Sequence, residues 1–344
     1  MNLPGVKFNL SHGFPSDWAT SRLEEKIISS YFQIKKCDLV VNATWGFLEC
    51  ENPITKKMST KFKVVEYLVT NRLAKNILFF NFVDPIYDLS TWYNVFDECK
   101  KFIKDSDITC IGQIDSNKIT LDVPLLYWAI YAIDNFRKYT KEQTTPKTFD
   151  NLFLCYNRKP HWHRKLLHEQ MEKHKVLQRG IFTLGSENPA EVTMINADKN
   201  TLPSEDKKMH GELGIPNDTM TLGSLDIWNS HLLTIITETQ HLPKVGFPFF
   251  SEKIWKPMIG MRPFLCLGDQ GSIQYLKNNG FYTFNKLFGI NNDDITINDI
   301  VNAIKKFNGN SAEIYDSILD QLEHNKKRFY EFAEEQKKII PGVN

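Results

Sequence analysis

Short apolar runs alternate with longer amphipathic stretches along this chain, a rhythm that predicts strands separated by helices. Cys37–Ala43 (CDLVVNA) is a compact β-branched run and predicts a strand. Ile54–Thr70 is polar with apolar residues at helical spacing and predicts a helix. Asn76–Val83 (NILFFNFV) predicts a buried strand that Asp84-Pro85 stops. Thr91–Lys104 has a helical period anchored by Trp92, Tyr93, Phe96 and Phe102. Ile108–Ile114 predicts another strand. Pro124–Tyr139 predicts a helix with proline in its first turn, where its missing N–H does no harm.

After the polar segment Thr140–Thr148 the pattern restarts. Leu152–Tyr156 predicts a strand, His161–His174 a helix and Arg179–Leu184 a short strand. Ser186–Met220 is polar and irregular and predicts loops or an insertion. Leu232–Thr237 predicts a strand, Ser251–Met261 a helix, Pro263–Leu267 a strand and Ser272–Asn279 a helix. Thr296–Phe307 and Ala312–Lys338 are helical to the end. Strands joined through helices of this length imply crossover units and a mostly parallel sheet. The expected fold is therefore α/β. Residues 1–145 form one α/β domain, 150–310 a second, and 311–344 a C-terminal helix expected to pack back on the first. In such sheets ligands bind beyond the carboxyl ends of the strands, where helix N-termini also point. The strand-to-helix junctions of the second half are therefore where chemistry is to be sought.

Composition narrows the function classes. The 344 residues can bury cores without disulfide staples. Lys and Arg total 42 against 41 Asp and Glu, so the basic excess of a dedicated nucleic-acid binder is missing. The six cysteines form no C-x-x-C pair and sit mostly in apolar runs, which points to a reducing compartment, without a disulfide framework or a zinc site. No basic segment leads into a long apolar one near Met1, and Asn76–Val83 is too short to span a bilayer. The expectation is a cytoplasmic protein with no membrane span. Abundant Asn, Lys and Ile hint at an AT-rich coding sequence.

Three junctions carry candidate chemistry. In Phe153–Leu167 a strand runs into Arg158 and Lys159, and a helix then brings His161, His163, Arg164 and Lys165. Cations at a helix N-terminus suit a diphosphate, because guanidinium grips phosphate oxygens in pairs. The plain alternative is a solvated basic face. His161 and His163, two apart, would not share a helix face, so a metal site is not expected there. The second junction ends a strand in Thr237-Glu238-Thr239-Gln240, where a carboxylate can accept from sugar hydroxyls; a surface loop Glu is the ordinary alternative. The third is Phe249–Gly268. Ser251 is a good N-cap, and Glu252 suits the first turn. Lys253 opposes the helix dipole there, unless an anion lies over the helix end.

The segment FFSEKIWKPMIGMRPFLCLG is similar to the signature of fucosyltransferases and related glycosyltransferases with two Rossmann-like domains, the GT-B type. It also resembles segments of viral and bacterial glycosyltransferase-like proteins, so a viral or phage member is one expectation. The resemblance covers roughly Leu152–Gly268, with Ser251 where the family has Thr. It implies two Rossmann-like domains facing a cleft, and a sugar moved from a GDP- or UDP-linked donor to an acceptor hydroxyl. It places Glu252 on the donor ribose, and Lys253 and Arg164 on the phosphates. Glu238 matches the Glu of an upstream Glu-Asn-Ser element, and Arg158 joins the donor set.

No D-x-D motif stands out. Asp293-Asp294 reads as a turn and cap, so neither a metal nor a resident cofactor is expected. The leaving diphosphate would be stabilised by Arg164, Lys253 and helix amides, and transfer would invert configuration. The family places a carboxylate base in the first domain. Asp115 is the chosen candidate, ahead of Asp84 and Glu49. Two other readings remain open. One is a viral glycosyltransferase acting on DNA bases, for which Lys56, Lys57, Lys61 and Lys63 are a suggestive basic face, equally a solvated one. The other is a non-catalytic glycan-binding protein of the same fold.

Overall fold

The computed structural model of the chain describes residues 6–10, 27, 29, 37–43, 46–81, 89–112, 126, 129–130, 148–157, 160–184, 222, 225–241 and 247–340. The chain forms two compact units, Met1–Tyr127 with Glu335–Asn344, and Trp128–Glu334. The predicted loops Ser186–Met220 lie outside the described residues, as does the predicted helix Pro124–Tyr139 apart from Leu126, Ala129 and Ile130. Of the predicted linker only Thr148 is described. No helix among the described residues is long and apolar enough to cross a membrane.

The first unit is built on β1 (Phe8–Leu10), β2 (Leu39–Asn42), β5 (Ile77–Asn81) and β6 (Ile108–Gly112), all parallel in the order β1-β2-β5-β6. Every residue of β2, β5 and β6 is buried, as parallel strands covered on both faces require. Helices α1 (Lys61–Thr70) and α2 (Leu89–Cys99) pack on each other. Trp92 is the centre of this core. Phe62 and Phe79 meet its ring edge-on at 4.6 Å, and its indole N–H donates to Ala43 O at 2.9 Å.

The predicted helix Ile54–Thr70 starts later than its periodicity implied. Ile54–Thr60 belongs instead to an antiparallel hairpin of β3 (Glu49–Glu51) and β4 (Met58–Thr60). Asn52 explains the turn, because its Oδ1 accepts from Ile54 N and Thr55 N and holds the chain out of the helix. Lys61 is also displaced from expectation. Lys56, Lys57 and Lys63 are exposed, but Lys61 is buried, its ammonium 3.4 Å from Asn42 O, and burial pulls its pKa down to about 8. Lys56 pairs with Glu51.

The second unit carries β7 (Asn151–Cys155), β8 (Gly180–Phe182), β9 (His231–Thr237) and β10 (Phe264–Leu267), parallel in the order β10-β9-β7-β8. From β7 the chain steps through α3 (Trp162–Lys173) to one side, and from β9 through α5 (Glu252–Ile259) to the other. A four-residue α4 (Leu225–Trp228) precedes β9. The strand order thus reverses at the β7–β9 seam, the place in such sheets where ligands bind. Helices α6 (Ser272–Asn278) and α7 (Ile297–Lys306) follow β10, and α7 packs on α3. The predicted Ala312–Lys338 helix is two: α8 (Ser311–Ser317) and α9 (Leu319–Ile339), parted at Ile318, whose φ of −116° leaves the helical range. Phe329 and Phe332 of α9 reach Trp255 of α5 at 5.4 and 5.8 Å.

Arg262 fixes the start of β9. It is wholly buried, and its guanidinium donates to His231 O, Gly260 O, Met261 O, Trp228 O and Asn229 Oδ1 at 2.9–3.3 Å. Arg262→Leu leaves those acceptors dry and unmatched. It is expected to lower unfolding free energy by about 3 kcal/mol or more in urea titration, whereas a loss within 0.5 kcal/mol, the usual range for surface changes, would contradict this role.

Candidate functional site

The site begins with two donors from the first turn of α3. His163 and Arg164 are both buried, and each reaches the carboxyl end of β9. Arg164 Nη2 donates to Thr237 O at 2.8 Å, and His163 Nε2 lies 2.9 Å from Glu238 O. A carbonyl only accepts, so Nε2 carries the hydrogen. Thr237 Oγ1 in turn donates to Asn157 Oδ1 beyond the end of β7, and Asn157 N–H donates to Thr183 Oγ1 at 3.0 Å. The β7–β9 seam is thereby laced by side chains just past its last backbone pairs.

Glu238 is the next link. Its side chain is fully buried. Oε2 accepts from Ser251 Oγ at 2.5 Å and Oε1 from Ser251 N at 3.3 Å. Ser251 has the extended backbone of an N-cap, and its Oγ accepts from Lys253 N. Lys253 Nζ lies 3.2 Å from Ser251 Oγ and 2.8 Å from Glu252 Oε1. Burial pushes the Glu238 carboxyl up, against the Lys253 charge and the Ser251 hydrogen bonds. Glu238, Ser251, Glu252 and Lys253 thus share one network at the N-terminus of α5, and Arg164 joins it through the main chain of Thr237-Glu238.

A cavity of about 760 Å3 is bounded by Trp162, Leu166 and Gln170 of α3, His241, the β10–α6 turn and the start of α7, and none of Arg164, Glu238, Ser251, Glu252 and Lys253 lines it. Trp162 is 63% exposed on its rim. His241 Nδ1 donates to Gly268 O across the turn at 2.7 Å. Asp269 Oδ2 accepts from Phe249 N, tying the approach to α5 to the end of β10. Asp294 accepts from Gly271 N and Asp293 pairs with Lys277, so both acids organise the turn before α6 and α7.

Of the predicted residues, Arg164, Glu238, Ser251, Glu252 and Lys253 are brought together, within one unit. Arg158 and Asp115 lie outside the described residues, as does Asp84; Glu49 is exposed on β3. The rings of His161 and His163 stack at 6.0 Å despite their spacing, because His161 is an extended N-cap outside the helix. The described residues hold no group of three or more His, Cys, Asp and Glu able to take a metal. Sequence reading did not single out His163 as a donor to β9, nor His241 and Asp269. A strand-end Gly-Asp was the available signal for Asp269. Searches for similar proteins found no family model and no curated protein that matches the chain.

Burial, with help from the Arg164 charge, holds the His163 pKa down at about 4, against a bond to Glu238 O that raises it. An unfolded imidazole titrates near 6.5, so between these values the unfolded chain takes up a proton that the folded one refuses. Stability should therefore fall as pH drops from about 6.5 to about 4, by roughly 3 kcal/mol from this group. His163→Gln keeps an N–H for Glu238 O and removes the titration. Urea unfolding at pH 7 and pH 4.5 should show a smaller acid loss in the variant, by roughly 2 kcal/mol; equal losses would rule the assignment out.

Proposed function

We propose that this chain is a glycosyltransferase that moves a sugar from a nucleoside-diphosphate donor to an acceptor hydroxyl, without a metal and with inversion. The observation that carries the reading is the pairing of Glu252 and Lys253 at the N-terminus of α5, beyond the carboxyl edge where the strand order reverses. Helix amides and an ammonium there favour a diphosphate, and a carboxylate beside them accepts from paired sugar hydroxyls. In this reading the two units are the Rossmann-like halves of a GT-B-type enzyme. The second holds the donor and the first supplies the acceptor side.

Each residue has a task in the transfer. Lys253 and the α5 amides hold the diphosphate and take up the charge it gains when its bond to the anomeric carbon breaks. Glu252 holds the ribose hydroxyls. Glu238 fixes Ser251, which caps the helix that carries both. Arg164 keeps the end of β9 in place and adds positive potential beneath the phosphates. The cavity beside α3 accommodates the nucleoside, with the exposed Trp162 ring as a stacking face for the base. The acceptor oxygen attacks from the face opposite the leaving group, and a first-unit carboxylate takes its proton. Asp115 is the residue proposed for that role.

Thermal unfolding with GDP, UDP, ADP and CMP tests the donor site. One diphosphate should raise the midpoint, by the equivalent of about 2.7 kcal/mol at a hundredfold excess over Kd, and Lys253→Ala should abolish the rise. No shift with any nucleotide would sink the proposal. Trp162→Ala should weaken the preferred nucleotide about tenfold or more and leave inorganic pyrophosphate unaffected, as measured by calorimetry.

A further inference from the structure

Ser251 Oγ has several neighbours and a single hydrogen to give. It lies 2.5 Å from Glu238 Oε2, 3.3 Å from Lys253 N and 3.2 Å from Lys253 Nζ. The amide and the ammonium only donate, so the hydroxyl hydrogen goes to Glu238. That order holds while Glu238 is an anion. Its side chain is fully buried, and among the described residues its hydrogen-bond donors are the amide and hydroxyl of Ser251. Lys253 is the ammonium nearby, and it is also bonded to the buried Glu252 at 2.8 Å. A diphosphate drawn to Lys253 therefore adds negative charge to two buried carboxylates that already share that cation. A proton on one carboxylate costs less in such a setting than keeping every charge.

We infer that filling the anion site takes up a proton from water onto Glu238, and that this proton turns the Ser251 hydroxyl toward the ligand. The inference rests on the proposed diphosphate role of Lys253. A protonated Glu238 Oε2 becomes the donor to Ser251 Oγ along the same contact. The Lys253 amide keeps its place as a second donor to that oxygen. The hydroxyl hydrogen is then left with the direction in which Lys253 Nζ now lies. Two donors repel there, so the ammonium leaves Ser251 for the anion, and the hydroxyl donates to the same anion. One proton thus removes a competing negative charge and adds a donor to the phosphate. Glu238 is a positioning residue in this scheme, because it acts on the ligand through Ser251.

The surroundings favour Glu238 as the group that takes the proton. Burial pushes its carboxyl up and the Glu252 charge adds to this, against Lys253 and the Ser251 bonds. From α3, Arg164 is bonded to Thr237 O, and His163, held down at about 4 by burial, donates to Glu238 O. From β10 comes the Cys266 thiol, which burial pushes up, so it stays uncharged. His241 and Asp269 complete the surroundings, bonded to Gly268 O and Phe249 N.

The test is calorimetry of the preferred nucleoside diphosphate on the full chain, in buffers of differing ionisation enthalpy, which counts the protons exchanged on binding. At about pH 7 a terminal phosphate, with a pKa near 6, is mostly ionised. The unaltered protein should take up about one proton per ligand bound. Its complex then holds a proton that the free protein lacks, so affinity should fall as pH rises, by up to about tenfold per pH unit. Glu238→Gln carries an amide that donates to Ser251 Oγ as the acid does. It should take up less than about 0.2 proton, lose the pH dependence and bind about tenfold more tightly than the unaltered protein at about pH 8. No uptake by the unaltered protein overturns the inference and leaves the anion role of Lys253 intact. Equal uptake by Glu238→Gln puts the proton on another group and overturns it as well. Should the variant fail to fold, the infrared difference spectrum of the unaltered protein on binding is the readout. A new protonated-carboxyl C=O band supports the inference, and its absence overturns it. If no nucleotide binds at all, the donor reading falls and the inference falls with it.

Discussion

A carboxylate withdrawn from water has to be given hydrogen-bond donors, and Glu238 finds its donors in Ser251. The rest of the site follows from that bond. Ser251 is the residue at which the chain turns into α5, so a carboxylate at the end of β9 decides where the next helix begins. The end of β9 is itself held by His163 and Arg164 from the helix after β7. Three elements of the second unit, α3, β9 and α5, are therefore locked at a single point, beyond the sheet edge. Lys253 and Glu252 inherit their positions from it.

Charge balance in this group sets limits on what it can hold. Lys253 faces both Glu238 and Glu252, while Arg164 is bonded to the Thr237 carbonyl, so the two carboxylates share one nearby ammonium. An added diphosphate must be compensated by helix amides, by a proton on Glu238, or by both. Burial pushes the Glu238 carboxyl up, which favours the second route. Neutral His163, by contrast, adds no charge and donates only through Nε2.

Much of the fold is written in local pattern. Strands such as β5 and β9 are buried on both faces, so they stand out as unbroken apolar runs. The hairpin of β3 and β4 is hidden in the sequence because its three-residue strands carry exposed Glu and Met residues in a polar stretch, and Asn52 defines the turn through side-chain bonds rather than through Gly. In the site, Ser251 was legible as a cap and Lys253 as a charge at odds with its helix end. The partner of Ser251 was not legible, because Glu238 lies thirteen residues away in the sequence and looks like any strand-end acid. Lys61 shows the same limit: its neighbours Lys57 and Lys63 are exposed, and only packing reveals that Lys61 is not.

Helix α5 rests on an aromatic cluster in which Trp255 meets Phe281, Phe329 and Phe332. Two of those rings are supplied by the last helix. On the ribosome the second unit is complete through β10 and α6 well before α9 emerges. At about 5–20 residues per second, the helix that bears Glu252 and Lys253 waits several seconds for its floor. During synthesis the strands of this unit can pair while α5 is still unsupported. Emergence of α9, rather than formation of the sheet, is then the event that gives α5 its floor.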